Sequence, residues 1–228
     1  MRSYTSEAIE HAADQLLRQA GVHTAPVDLA QIAEHLKVQI HQEPLEDQVS
    51  GVLMVQGEDR HILVNATHHP NRQRFTVGHE IGHLVLHDSG GDRLFVDTQL
   101  RVYQRVGEPS SPAYSDASSG TTPQMEREAN IFAAALLMPA TLVRYAAHGR
   151  DLWDEQGVAA LSSAFGVSEQ AMSIRLQQLD VLRTVMSSQQ DGLPPVAGVV
   201  GDATLPLPSI GIPTVSDRDS SAIHTSTT

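Results

Sequence analysis

The segment from residue 70 to about residue 87 constrains the fold of this chain more than any other stretch. A proline at its start and a glycine pair at positions 90 and 91 mark the two ends of one helix. Residues 74–87 read RFTVGHEIGHLVLH and contain the unit His79-Glu80-x-x-His83. The fold must therefore place three polar, chemically active side chains in the interior of a helix.

The spacing of His79 and His83 suits a metal ion. On a helix these residues are about one turn apart and point the same way, so both imidazoles can reach one Zn2+ at about 2.0–2.1 Å. Glu80 is displaced by about 100° around the helix, where it can act as a general base without binding the metal. Because this unit arises by chance in about one chain per hundred, it needs support from a third ligand.

Two positions for a third ligand are excluded by spacing. His87 lies about 12 Å beyond His79 along a straight helix, too far to share an ion, which predicts a structural or supporting role for it. A third histidine in the pattern H-E-x-x-H-x-x-G-x-x-H requires glycine at position 86 and histidine at position 89. The chain has Leu86 and Ser89 there. The third ligand must therefore come from another helix.

The sequence MEREAN supplies two candidate carboxylates, Glu126 and Glu128. Glu126 is favoured because Asn130 follows four residues later on the same helical face, where it can hydrogen-bond a ligand histidine. Glu128 then faces elsewhere. The predicted site comprises the metal ligands His79, His83 and Glu126, the general base Glu80 and the supporting residue Asn130.

The remaining pattern predicts an α+β fold. Helical periodicity at residues 6–20 and 28–36 precedes the short runs VQIHQ, GVLMVQ and ILVN, and the last two form a predicted hairpin over residues 51–65. We expect a small antiparallel sheet of about three strands, packed on the zinc-binding helix pair. The strand ILVN or its hairpin partner would be an edge strand that can hold an extended peptide.

The composition limits the cofactor and the partners. There is no cysteine, so any metal must bind to His, Asp or Glu. The N-terminus lacks the apolar run of a signal peptide, and the longest apolar stretch is too short to span a bilayer. We therefore expect a cytoplasmic protein with no membrane partner. A formal net charge of -12 opposes binding to nucleic acid and favours a basic protein partner.

Two longer runs, RQRFTVGHEIGHLVLH and EREANIFAAALLMP, resemble the ImmA/IrrE family of metallopeptidases, and the similarity extends over about residues 6–185. The resemblance implies a reduced thermolysin-like (gluzincin) core with the same ligands and the same general base. It also implies a cytoplasmic zinc endopeptidase that cleaves a helix-turn-helix transcriptional repressor, and so induces a stress response or mobile-element genes. Zinc is the expected cofactor, with manganese as a substitute to test in vitro.

Three regions are predicted along the chain. Residues 1–150 form the zinc metallopeptidase domain, and residues 151–185 form a helical extension that resembles a helix-turn-helix. Residues 186–228 are rich in Ser, Thr, Pro, Gly and Asp without periodicity, so a disordered tail is expected.

The sequence leaves two alternatives open. Tyr103, Tyr114 and His87 are candidates for stabilising the oxyanion, and each is equally compatible with a structural role. The segment LSSAFGVSEQAMSIRLQQL has the pattern of a helix-turn-helix, so the alternative function is a regulator that binds DNA or a repressor without proteolysis. Residues 155–183 contain two arginines and three acidic residues. They therefore lack the basic surface expected for DNA binding.

Overall fold

The computed structural model describes residues 3–87, 92–97, 121–148, 150, 152 and 155–181. These residues form seven helices and four strands, which confirms the predicted α+β class. In chain order they are α1 (Ser6–Ala20), α2 (Leu29–Leu36), β1 (Val38–Glu43), β2 (Gly51–Gln56), β3 (Asp59–Asn65), α3 (Pro70–His87), β4 (Arg93–Asp97), α4 (Pro123–Leu137), α5 (Ala140–Ala147), α6 (Glu155–Phe165) and α7 (Glu169–Gln178). The predicted tail, residues 186–228, lies outside the described residues.

The four strands form one mixed sheet in the order β1-β3-β2-β4. The predicted hairpin is the antiparallel pair of β2 and β3, with Gly51 opposite Val64, and β4 pairs antiparallel with the other side of β2. The first strand, β1, is parallel to β3, with Val38 opposite Arg60. The predicted sheet was antiparallel with about three strands. The observed sheet has four strands, and its strand β1 is parallel to its neighbour.

Asn65 at the end of β3 helps to explain the position of β1. It is fully buried, and its amide donates hydrogen bonds to the carbonyl oxygens of Leu45 and Val49 at 3.3 and 2.9 Å. These bonds hold the loop of residues 44–50 against the end of β3. The loop thus carries the chain across β3, so that β1 and β2 lie on opposite sides of that strand.

β2 and β3 lie in the interior of the sheet. The run ILVN belongs to β3, and both this strand and its hairpin partner β2 are paired on two sides. The prediction that one of them is an edge strand is therefore wrong, because their backbone groups are already engaged by neighbouring strands. Among the described strands, β1 and β4 form the edges.

Helix α3 packs against α4 on one side and against β2 and β3 on the other. Most of its 18 residues are buried, including His79, Glu80 and His83, whose exposed fractions are 1%, 0% and 2%. Burying polar side chains costs free energy unless they have partners. The unit His79-Glu80-x-x-His83 is therefore enclosed by the fold and does not lie on a solvated helix face.

The C-terminal helices α6 and α7 are joined by a short turn at Gly166, whose φ is +63°. In α7, the buried Arg175 donates from Nε to the carbonyl of Met138 at 2.9 Å and from Nη2 to Glu10 Oε2 in α1 at 2.8 Å. This arginine connects α7 to both α1 and the end of α4.

Within the described part of the chain, no single helix has the length and apolar composition of a membrane span. The helices α4 and α5 reach that length and composition only as a pair, which is bent by 48°.

Candidate metal centre

The two helices that carry the predicted ligands approach each other closely at Gly82. A Cβ added to this residue would lie 3.1 Å from both the Cα and the carbonyl oxygen of Ala129 in α4, and 3.3 Å from the Cβ of Phe132. Protein interiors are close-packed, so a side chain here would push the helices apart. The glycine therefore sets the separation between the histidines on α3 and the carboxylates on α4.

We expect Gly82→Ala to destabilise the fold by about 1–3 kcal/mol, the usual cost of overpacking, although alanine is the better helix former. Gly78→Ala is the matched control on the same helix, because its Cβ would meet Ala133 Cβ at 3.4 Å, an ordinary contact. This control should be stabilised by up to about 1 kcal/mol. Urea unfolding of both variants measures the difference. Equal stability of the two variants would contradict the close approach at Gly82.

The side chains of His79, His83 and Glu126 converge. Glu126 Oε2 lies 3.2 Å from His79 Nε2, its Oε1 lies 3.4 Å from His83 Nε2, and the two Nε2 atoms are 3.0 Å apart. Ligand atoms bound tetrahedrally to zinc at about 2.1 Å are separated by about 3.4 Å. The three residues therefore have the spacing of a metal site, and they are the cluster of metal-binding side chains found among the described residues.

The outer nitrogen of each ligand histidine also has a partner. His79 Nδ1 lies 3.0 Å from Asn130 Oδ1, and His83 Nδ1 lies 3.1 Å from His87 Nδ1. An amide oxygen can only accept a hydrogen bond, so His79 carries its proton on Nδ1 and presents a lone pair at Nε2. This lone pair faces a carboxylate and a second imidazole, which is an arrangement of acceptors that a cation stabilises. The residues present thus fit a metal ion.

The charge states of the ligands also suit a metal. Burial lowers the pKa of His83 from 6.5 to about 4, against the opposing effect of its contact with Glu126. Burial raises the pKa of Glu126, but its contacts with His79 and His83 outweigh burial and lower the pKa below its ordinary value. Metal binding requires neutral imidazoles and an ionised carboxylate, and both shifts favour those forms.

Glu80 follows the predicted ligand His79 on α3, and its side chain is completely buried. A Cβ added to Gly51 of β2 would lie 3.2 Å from Glu80 Oε1 and 2.4 Å from Thr76 Cγ2. The lack of a side chain at Gly51 therefore leaves the space in which the Glu80 carboxylate lies. Local spacing in the sequence does not predict a role for Gly51, because such spacing does not reveal the contact between β2 and α3.

The other predicted candidates do not join the group of His79, His83 and Glu126. Glu128 points to His87, whose Nε2 lies 2.9 Å from Glu128 Oε2, and both side chains are 5% exposed. One ring nitrogen of His87 contacts His83 and the other contacts Glu128. This histidine therefore does not present a hydrogen-bond donor to a substrate. The other two candidates for stabilising the oxyanion, Tyr103 and Tyr114, lie outside the described residues.

Phe95 of β4 is a site residue that the sequence analysis missed. Its ring stacks on that of His83, with a centroid separation of 5.3 Å and an interplanar angle of 14°. The run RLFVD indicated a strand, but a single aromatic residue in a strand gives little indication of a contact with a metal ligand. This contact places the edge strand β4 beside His83, one of the three predicted ligands.

The family model Peptidase_M78, described as the IrrE N-terminal-like domain, matches residues 33–177, which is more than half of the chain and includes the three predicted ligands. The chain belongs to this peptidase family. A relative of this IrrE-like peptidase is the radiation response metalloprotease IrrE of Deinococcus radiodurans, which is 33% identical over 119 residues. The matched region is 48% of this chain and 31% of the relative, so the chain spans about a third of that protein's length.

The comparison confirms the resemblance to the ImmA/IrrE family that the motifs predicted. Membership of a metallopeptidase family, together with the convergent group of two histidines and one glutamate, implies that this IrrE-like peptidase binds a metal ion.

Proposed function

We propose that this IrrE-like peptidase is a zinc-dependent endopeptidase that cleaves a helix-turn-helix transcriptional repressor, and so induces a stress response or mobile-element genes. The observation that carries the proposal is the convergence of His79, His83 and Glu126 next to Glu80. Two histidine ligands and one glutamate ligand are typical of catalytic zinc sites in peptidases, where the fourth position stays open. The name of the Deinococcus relative, a radiation response metalloprotease, supports a link to a stress response.

In the proposed mechanism, zinc held by His79, His83 and Glu126 supplies Lewis-acid activation of water and of the scissile carbonyl. Glu80 accepts the proton of the attacking water and then delivers it to the leaving amine. Asn130 accepts a hydrogen bond from His79 Nδ1 and so holds this imidazole in the tautomer that a ligand needs.

The substrate would bind along the edge strand β4. This strand lies beside the proposed ligands, because Phe95 stacks on His83, and its outer edge is the sheet edge nearest the site. The backbone groups of an edge strand can hold an extended peptide in register. A single short strand offers few deep pockets for side chains, so selectivity would depend on contacts remote from the cleaved bond.

The net charge of the chain supports a basic partner. A formal charge of -12 attracts a protein with a positive surface, such as the DNA-binding face of a repressor, and this attraction weakens as salt screens it. The substrate that we infer is therefore a small DNA-binding repressor, cut at one extended site.

Direct DNA binding by α6 and α7 has less support. The one arginine among the described residues of these helices is Arg175, which is 2% exposed and bound to Glu10 and to the carbonyl of Met138. An arginine engaged in this way does not provide the surface charge that phosphate binding needs. A role in packing or in docking the repressor fits α6 and α7 better.

The test is to incubate the purified protein, loaded with zinc or manganese, with the helix-turn-helix repressors encoded beside its gene. We expect one of these repressors to be cut at a single site, as mapped by mass spectrometry, and the cleavage rate to fall as the salt concentration rises. The Glu80→Gln variant is the control for contaminating proteases. Unfolded casein is the control for general peptidase activity.

Efficient digestion of casein, with no neighbouring repressor cut faster by wild type than by Glu80→Gln, would exclude the regulatory role and leave a general peptidase. A mobility shift of operator DNA at low salt, without cleavage of any repressor, would favour the DNA-binding alternative.

A further inference from the structure

A series of hydrogen-bonded, buried polar groups extends from Nδ1 of His83, one of the proposed ligands. His83 Nδ1 lies 3.1 Å from His87 Nδ1, and His87 Nε2 lies 2.9 Å from Glu128 Oε2. The other oxygen of Glu128 accepts the backbone N–H of Tyr4 at 3.0 Å and the side-chain amide of Gln124 at 2.9 Å. This series of hydrogen-bonded groups connects the proposed metal site to the segment that precedes α1.

For a neutral His87, the hydrogen-bond partners of these groups assign each proton to one nitrogen. The Glu128 carboxylate receives two N–H donors at Oε1, so at Oε2 it acts as the acceptor of the His87 Nε2–H. A neutral His87 with its proton on Nε2 has a lone pair on Nδ1, which must accept from His83. His83 therefore carries its proton on Nδ1, and its Nε2 presents a lone pair toward Glu126.

His87 and Glu128, the two members of this series beyond His83, are both buried. The side chains of His87 and Glu128 are each 5% exposed, and the ring of Tyr4 meets that of His87 edge-on at 6.5 Å between centroids. Water therefore has little access to His87 or Glu128, and neither side chain can rotate away without losing buried hydrogen bonds.

We propose that His87 and Glu128 are positioning residues that set the tautomer and the orientation of the metal ligand His83. The backbone amide of Tyr4 holds Glu128 in place, so the N-terminal segment contributes to metal affinity although it is remote in sequence from α3. This inference rests on the proposed metal site. The two proposed ligand histidines then have different hydrogen-bond partners. His79 is held by the side-chain amide of Asn130, whereas His83 is held by the imidazole of His87, which is in turn held by the carboxylate of Glu128.

Partners of this kind typically contribute 10- to 100-fold to metal affinity. We expect His87→Ala to weaken zinc binding by about 10- to 100-fold and Glu128→Gln by about 10-fold. His87→Asn should bind zinc more tightly than His87→Ala, because the asparagine Oδ1 can occupy the position of His87 Nδ1 and accept from His83.

The experiment measures zinc affinity by competition with a chromophoric chelator, using the full chain. The absorption spectrum of the Co2+-loaded protein provides a second readout, which reports ligand geometry independently of catalysis. Glu10→Gln is the matched control, because it removes the charge from a partly buried pair with Arg175 that lies outside the series of groups connected to His83. This control should lower the unfolding temperature and leave zinc affinity unchanged.

The outcomes separate this inference from the proposed function. If wild type binds neither Zn2+ nor Co2+, the proposed metal site itself is wrong. If wild type binds zinc, and His87→Ala and Glu128→Gln both bind within twofold of it, the positioning role is wrong. Zinc binding by His87→Asn as weak as that of His87→Ala would overturn the tautomer assignment.

Discussion

Replacing Glu80 by glutamine should reduce cleavage of the proposed repressor substrate by about 100- to 10,000-fold while leaving metal binding intact. Glutamine has the shape of glutamate and fits the same buried space beside Gly51, so the three ligands should keep their positions. The amide cannot accept the proton of the attacking water. The loss should therefore appear in kcat, with little change in KM.

The measurements are single-turnover cleavage of the repressor and metal content after dialysis. Glu34→Gln on α2 is the matched control, because it makes the same chemical change at an exposed position outside the site. Cleavage by Glu80→Gln at the wild-type rate would show that Glu80 is not the general base. Loss of both activity and metal from this variant would instead assign Glu80 a role in holding the site.

The part of the site that lies along single helices could be predicted from the sequence. His79 and His83 are one turn apart on α3, and Glu126 and Asn130 are one turn apart on α4, so helical geometry alone places each pair on one face. The ends of α3 follow from the proline and glycine signals. These features are predictable because they depend on neighbours within about four residues.

The parts that depend on contacts between distant segments could not be predicted in the same way. The position of β1 beside β3 depends on the loop that Asn65 holds, and the space around Glu80 depends on the packing of Gly51 against α3. One partner of Glu128 is the backbone amide of Tyr4, which is 124 positions earlier in the chain. Helical and strand periodicities contain no information about such contacts.

The second large effect concerns the proposed third ligand, Glu126. We expect Glu126→Ala to weaken zinc binding by more than about 100-fold, which is a larger loss than residues that only hydrogen-bond a ligand typically cause. Glu126 supplies the carboxylate next to both Nε2 atoms, at 3.2 and 3.4 Å, and without it two neutral imidazoles face each other with no negative charge. Chelator competition measures the zinc affinity. Arg127→Ala is the matched control, since it changes an exposed side chain on the same turn of α4.

The order of the α4 variants decides between the two carboxylates. Glu126→Ala should lose more zinc affinity than Glu128→Ala, because Glu128 reaches the site only through His87 and His83, whereas Glu126 faces both ligand nitrogens directly. A reversed order would make Glu128 the ligand, and His87 would then have to turn away from it to let a metal ion approach. The helical register opposes such an exchange, because Glu126 and Glu128 are about 200° apart around α4 and cannot both face α3 at the same point. The zinc affinities of the two variants therefore test whether the position of a glutamate around α4 determines which one is the third ligand.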